Sequence, residues 1–238
     1  RTTAEKGSAD LQECFKCPSP STYILRPDVD PCQTCPRGLT CKGDETVVPK
    51  TTNSTWVKDG GFFRLESCPF GHYVSPPDVT TLGANNAPLQ ECLPCVKGFE
   101  CTLSSCVTCD ACAAGKYKAA VSTEACDECP ANTYRETEGA TELGNCISCQ
   151  AKSSTLGAVG QDSRHACECD REYYLISSTE TGEETLTCQV CPKGAMCDGG
   201  KECALRSAGF NCSGGTGIVG TWSKEASGQY ALVSCPAG

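Results

Sequence analysis

Several residue types that ordinary globular proteins depend on are scarce in this chain. It has one methionine, two tryptophans and two histidines, and aromatic residues make up only 6% of it. The hydrophobic fraction of 39% includes 24 cysteines, and without them it falls to about 29%. That is too little apolar material for one large core over 238 residues, so small modules are expected instead. No run approaches 18 apolar residues, and no membrane insertion is expected within the chain. Lysine and arginine form no cluster and the net charge is −9, which argues against a nucleic-acid partner. The D-x-[DN]-x-[DN]-G calcium loop is missing, so the scattered carboxylates read as solvated surface. No convincing amphipathic helix is present.

Cysteine is what the chain has in abundance. The 24 cysteines are an even number and fall largely into eight C-x2-C pairs, such as Cys32/Cys35, Cys92/Cys95, Cys126/Cys129 and Cys188/Cys191. Zinc ribbons use the same spacing. Three features favour disulfides: the pairs form a ladder and not isolated groups of four, only His72 and His165 could supplement them as ligands, and two glycosylation sequons are present. Thioredoxin-type redox chemistry would need a βαβ frame around one reactive pair, and none is visible. A disulfide closing a loop of about 15 residues stabilises by roughly 3 kcal/mol, so crosslinks would stand in for the missing core.

The sequons are Asn53-Ser54-Thr55 and Asn211-Cys212-Ser213, and both asparagines are candidate glycan sites. Asn53 lies in a polar stretch that reads as an exposed loop. In the second sequon, Cys212 competes for oxidation. His72 and His165 lie beside polar turn residues without a partner motif and read as surface histidines. No catalytic, cofactor-binding or metal-binding residue is assigned, and no enzyme is expected.

Comparing the chain with itself reveals a long repeat. Gly61-x-Phe63-x-Leu65-x-Ser67-Cys68-Pro69-x-Gly71 matches Gly228-x-Tyr230-x-Leu232-x-Ser234-Cys235-Pro236-x-Gly238, with Trp56 and Trp222 upstream. Earlier still, Cys32-x2-Cys35-Pro36-x-Gly38-x2-Cys41 matches Cys188-x2-Cys191-Pro192-x-Gly194-x2-Cys197, and Cys92 to Cys101 repeats that cysteine and glycine spacing a third time. Both tryptophans are expected to cover a disulfide or pack between modules. In the middle, Cys112–Cys126, Cys129–Cys146 and Cys149–Cys167 are proposed as bridges across loops of similar length. Short strands are expected at 61–68, 116–121, 172–177 and 229–234, and loops at 82–88 and 213–220. The chain carries no signal peptide and its end looks like the start of a module, so a processed form or an excerpt of something longer is expected.

The stretch from Cys109 to Tyr174, carrying CDACAAGKY, CDECPANTYRETEGA and HACECDREYY, resembles the ephrin-receptor-like cysteine-rich repeats, relatives in style of EGF and tumour-necrosis-factor-receptor modules. Ala113 and Gln150 depart from it, standing where proline is usual. The C-x2-CPxGxxC pieces are similar to those accompanying such repeats in large extracellular proteins of algae and other protists. The resemblance implies surface receptors, adhesins, fibrous appendages or coats.

The expected fold is a tandem of small disulfide-rich modules, elongated, mostly loops and short strands, with little helix. The divisions expected are cysteine-rich modules over 1–50, the tryptophan segment and a second CxxC module over 51–105, an ephrin-receptor-like ladder over 106–180, and the next long repeat over 181–238. The expected role is a structural subunit of a secreted, extracellular or cell-surface assembly, with copies of itself as partners and covalent glycans on its surface. The alternative is the ectodomain or stalk of a receptor or adhesin.

Overall fold

The structure, a computed structural model, describes residues 16–18, 20–76, 89–178, 184–191, 197, 199, 210–211 and 219–234. The expected loop at 82–88, the cysteines at 14, 203, 212 and 235, and the glycine at 194 lie outside the described residues. The chain divides into two units, one of residues 1–112 and 118–126, the other of residues 113–117 and 127–238. Each is made of small disulfide-rich modules with short paired strands, and the described residues of the second also form two single-turn 3-10 helices, Leu143–Asn145 and Arg164–Ala166.

The first unit holds antiparallel hairpins. Strand β1 (Thr22–Tyr23) pairs with β2 (Gln33–Thr34), β3 (Leu39–Cys41) with β4 (Val47–Pro49), and β5 (Thr55–Asp59) with β6 (Phe62–Ser67). Further on, β7 (His72–Ser75) pairs with β8 (Glu91–Pro94) and β9 (Phe99–Glu100) with β10 (Asp110–Ala111). The second unit repeats the device: β11 (Lys116–Tyr117) with β12 (Asp127–Glu128), β13 (Thr133–Tyr134) with β14 (Ile147–Ser148), and β15 (Ser153–Ser154) with β16 (Glu168–Cys169). Then come the longer pair β17 (Tyr173–Ser178) and β18 (Thr185–Val190), and a three-stranded sheet of β19 (Phe210–Asn211), β20 (Val219–Lys224) and β21 (Tyr230–Ser234).

All twenty described cysteines are joined in ten disulfides. Seven of them, Cys17–Cys32, Cys68–Cys92, Cys95–Cys109, Cys112–Cys126, Cys129–Cys146, Cys149–Cys167 and Cys169–Cys188, obey one rule. The strand that begins four or five residues after the opening cysteine pairs with the two residues just after the closing one, as Lys116 and Tyr117 pair with Glu128 and Asp127. This gives the C-x2-C spacing a physical meaning. The two intervening residues are the return strand of a hairpin, and the second cysteine opens the next module.

Neighbouring modules are stitched by a shared corner. The third residue after the opening cysteine, namely Gly71, Gly98, Gly115, Asn132, Lys152 or Glu172, has φ between 66° and 81°. That left-handed conformation favours glycine and is next most accessible to asparagine. It aims the corner carbonyl forward, where it accepts the backbone N–H three residues beyond the closing cysteine at 2.6–2.9 Å; in five of the six this donor is itself a cysteine, such as Cys95 for Gly71 and Cys149 for Asn132.

The cores are correspondingly small. One cluster gathers Tyr23, Leu39, Cys41 and Phe63, a second Leu65, Cys68 and Val74, a third Cys95, Cys101 and Cys106, and a fourth Tyr174, Ile176 and Cys197. Half-cystines sit in each, so sulfur does part of the work that large aliphatic side chains do elsewhere.

Two expectations from sequence are corrected. The Lys116–Val121 stretch forms a strand only over Lys116–Tyr117, because the return strand available to it is the two-residue insert between Cys126 and Cys129. Val219 and Gly220 belong to β20 and not to a loop, since β19 pairs with both.

Candidate functional site

The feature that recurs in both units is a tyrosine locked onto the edge of a hairpin. In the first unit Tyr23, almost fully buried, accepts the backbone N–H of Phe63 through its hydroxyl at 2.9 Å. Its ring packs against Phe63 with centroids 5.0 Å apart. In the second, the Tyr174 hydroxyl accepts the N–H of Tyr230 at 3.2 Å, with ring centroids 5.4 Å apart. Phe63 and Tyr230 are the aromatic pair matched in the sequence repeat. Two disulfides accompany each lock: Cys17–Cys32 with Cys35–Cys41, and Cys169–Cys188 with Cys191–Cys197. Burial pushes the Tyr23 phenol pKa up, against the hydrogen bond from Phe63, and the charge of Asp30 adds to the rise.

The third copy of the cysteine spacing is different. Cys95 bonds Cys109 and Cys101 bonds Cys106, whereas the equivalent cysteines at 35 and 41 bond each other. Cys106 is already held beside Cys68 by reciprocal backbone hydrogen bonds of 2.7 and 2.8 Å, which brings it within reach of Cys101.

Trp56 lies between two cores of the first unit, against the cluster of Tyr23 and Phe63 on one side and that of Leu65, Cys68 and Val74 on the other. Its indole N–H donates to the Ser54 hydroxyl at 3.1 Å. Gly38 makes room for it: a Cβ there would sit 2.7 Å from Trp56 Cζ2. Gln90, fully buried, completes the wall, its Oε1 accepting the Leu65 N–H at 2.8 Å and its own carbonyl the Gly38 N–H at 2.9 Å. The side chain of the equivalent Trp222 lies outside what the structure describes.

Tyr23, Gln90 and Asn132 were not singled out by sequence reasoning. Extending the self-comparison upstream of Cys32 would have aligned Tyr23-Ile24-Leu25 with Tyr174-Leu175-Ile176, each following an opening cysteine. Gln90 carries no comparable signal.

The structure pairs Cys112 with Cys126, Cys129 with Cys146 and Cys149 with Cys167. Asn53 is exposed in the turn before β5 with φ 64°. Asn211 has its backbone in β19, and its side chain lies outside the described set. His72 places Nδ1 2.9 Å from the Phe70 carbonyl, and His165 places Nε2 3.3 Å from a Glu184 carboxylate oxygen. The two histidines thus serve separate local contacts. Among the described residues, no three His, Cys, Asp or Glu side chains converge to hold a metal ion.

One ion-pair network ties together successive modules of the second unit. Arg164 grips Glu136 with Nε at 2.8 Å and Nη2 at 2.7 Å, its backbone N–H donates to the same carboxylate at 3.0 Å, and Nη1 reaches the Glu184 carbonyl at 2.9 Å. These hydrogen bonds hold the Glu136 pKa down at about 2. In the first unit, Lys118 is buried, its ammonium donates to the Ser122 carbonyl at 2.8 Å, and desolvation lowers its pKa against the pull of Glu100 and Glu124.

Residues 101–146 match the family model described as tyrosine-protein kinase ephrin type A/B receptor-like. That segment holds the end of the Cys95–Cys109 module, all of Cys112–Cys126 and Cys129–Cys146, and the small Cys101–Cys106 ring. The chain therefore carries ephrin-receptor-like cysteine-rich modules, a class built for oxidising, extracellular surroundings. A search of curated proteins finds no match.

Proposed function

We propose that the chain is a structural subunit of an extracellular, repeat-built assembly, a fibril, coat or appendage, with a non-enzymatic role and a glycan-bearing surface. The observation that carries this reading is the recurrence of one construction, the tyrosine lock on a hairpin edge with its two disulfides, in both units. A chain that spends its sequence on repeating a rigid, crosslinked frame is suited to bearing load and resisting proteolysis. Its partners on this reading are further copies of itself.

A second reading, the stalk or ectodomain of a surface receptor or adhesin, is favoured by the match of residues 101–146 to a receptor-like module. Electron microscopy of the protein purified from its source separates the two. Filaments or coat fragments support the assembly, and dispersed single chains would overturn it in favour of the stalk.

A further inference from the structure

Aligned on their tryptophans, the two hairpins differ at the head of the first strand. Asn53-Ser54-Thr55-Trp56 in the first corresponds to Val219-Gly220-Thr221-Trp222 in the second. In the second hairpin Val219 and Gly220 extend β20 and pair with Asn211 and Phe210 of β19, so the head of that edge is covered by a third strand. Among the described residues the first hairpin is two-stranded. Its chain turns through Asn53, with the Ser54 N–H donating to the Thr51 carbonyl at 3.2 Å, and β5 starts only at Thr55.

The two edges of the first hairpin are treated unequally. On the β6 side, the outward N–H groups of Phe63 and Leu65 are taken by the Tyr23 hydroxyl and the Gln90 amide oxygen. These residues stand opposite Lys58 and Trp56. In an antiparallel pair opposite residues point their backbone groups the same way, inward or outward, so the N–H and C=O of Trp56 and Lys58 face out from β5. Such an edge is a template for unwanted pairing. Two guards are common to both hairpins, a register irregularity just before the tryptophan and a lysine two residues after it, Lys58 or Lys224. What distinguishes the first is that its sequon stands in line with Val219 and Gly220, the two residues of the second that β19 covers. Asn53 and Thr55 are both exposed, while Ser54 is tied through its hydroxyl to the Thr51 carbonyl and the Trp56 indole.

We infer that Asn53 is a site of N-linked glycosylation and that its oligosaccharide guards the open β5 edge from its head, the end that β19 covers in the second hairpin. The donor is a lipid-pyrophosphate-linked oligosaccharide of the secretory pathway. Asn53 Nδ2 forms the bond to the anomeric carbon of its first sugar, the bond from that carbon to the pyrophosphate oxygen breaks, the lipid pyrophosphate departs, and Nδ2 gives up one proton. The inference rests on secretion and not on the assembly reading, so single chains in the microscope leave it standing.

The test uses the full chain secreted from a eukaryotic host. Peptide N-glycosidase in oxygen-18 water is expected to convert Asn53 to labelled aspartate, and an unlabelled asparagine there would overturn the site. Thr55→Ser should keep the glycan and Thr55→Ala should lose it, with the titre of free thiols unchanged in both. Hydrogen exchange is then compared before and after enzymatic removal of the glycan. Faster exchange of the Trp56 and Lys58 amides, with Phe63 and Leu65 unchanged, supports the guard. Unchanged exchange at Trp56 and Lys58 would overturn it.

Discussion

The Tyr23 hydroxyl and the Phe63 backbone N–H, forty residues apart in sequence, meet at 2.9 Å inside a core that excludes water. One side chain thereby satisfies a strand edge and supplies the aromatic surface packed against it. Tyr174 and Tyr230 do the same in the second unit, but at 3.2 Å and with Tyr230, whose N–H is the donor, only partly buried. Removing the hydroxyl should therefore cost more in the first unit. Tyr23→Phe leaves a buried N–H unpaired and is expected to lower stability by about 1–2 kcal/mol, whereas Tyr174→Phe should cost at most about 1 kcal/mol. Denaturant titrations of the disulfide-intact variants would show this, and equal losses would mean that burial does not set the value of the lock.

Gly38 and Trp56 define a second sensitive contact. A methyl group at position 38 meets the indole at 2.7 Å and the Gln90 carbonyl at 3.1 Å, with backbone on one side and a wedged ring on the other. Gly38→Ala is expected to destabilise by about 1–3 kcal/mol through overpacking. In a Trp222→Phe background, the emission of Trp56 should shift to the red as the ring is displaced towards solvent. An unshifted spectrum with unchanged stability would show that the wall yields.

Glu136 makes acid stability a local reading of the Arg164 network. Its pKa is about 2 in the folded chain and returns to the ordinary carboxylate value of 4.5 on unfolding. The stabilisation is thus fully present above that ordinary value and is lost as pH falls through about 2. The pair is about one-third exposed, with side-chain exposures of 34% and 37%, so solvent screening reduces its worth to about 1 kcal/mol. Glu136→Gln should lower stability by that amount at neutral pH and flatten the pH dependence of unfolding in the acid range. A variant that retained the parent slope would assign the dependence to other carboxylates.

Much of this architecture was legible because cysteine spacing is a literal record of the hairpins. The closing cysteine, two strand residues and the next opening cysteine make C-x2-C, and Gly71, Gly98 and Gly115 mark the corners by being glycine. Identical spacing nevertheless hides different bonding, as Cys95 and Cys101 show against Cys35 and Cys41. Strands of two residues also carry no periodicity from which to be recognised. The β19 pairing was hidden because Val219 and Gly220 follow a run rich in glycine, serine and threonine, and their partner strand comes from Phe210 and Asn211. Tyr23 and Gln90 act through single hydrogen bonds to distant backbone, a role that local sequence does not announce.

The corner at Asn132 offers the sharpest test of the stitching between modules. Its carbonyl accepts the Cys149 N–H at 2.9 Å, its own N–H donates to the buried Thr155 hydroxyl at 2.9 Å, and its Oδ1 accepts the Thr155 N–H at 3.2 Å. The Gly71, Gly98 and Gly115 corners direct that N–H to a backbone carbonyl, of Cys101, Lys118 and Arg135 respectively. At Asn132 a threonine takes the acceptor's place, and the asparagine amide returns the bond. Asn132→Gly keeps the left-handed φ of 67° but removes Oδ1 from Thr155, and should cost about 1 kcal/mol. Asn132→Ala removes the same oxygen and adds the left-handed penalty of about 1 kcal/mol, so its loss should be about twice as large. Urea titrations of both, with Thr155→Val to report the hydroxyl separately, give the order. If alanine proved no worse than glycine, the corner conformation would not be what holds one module to the next.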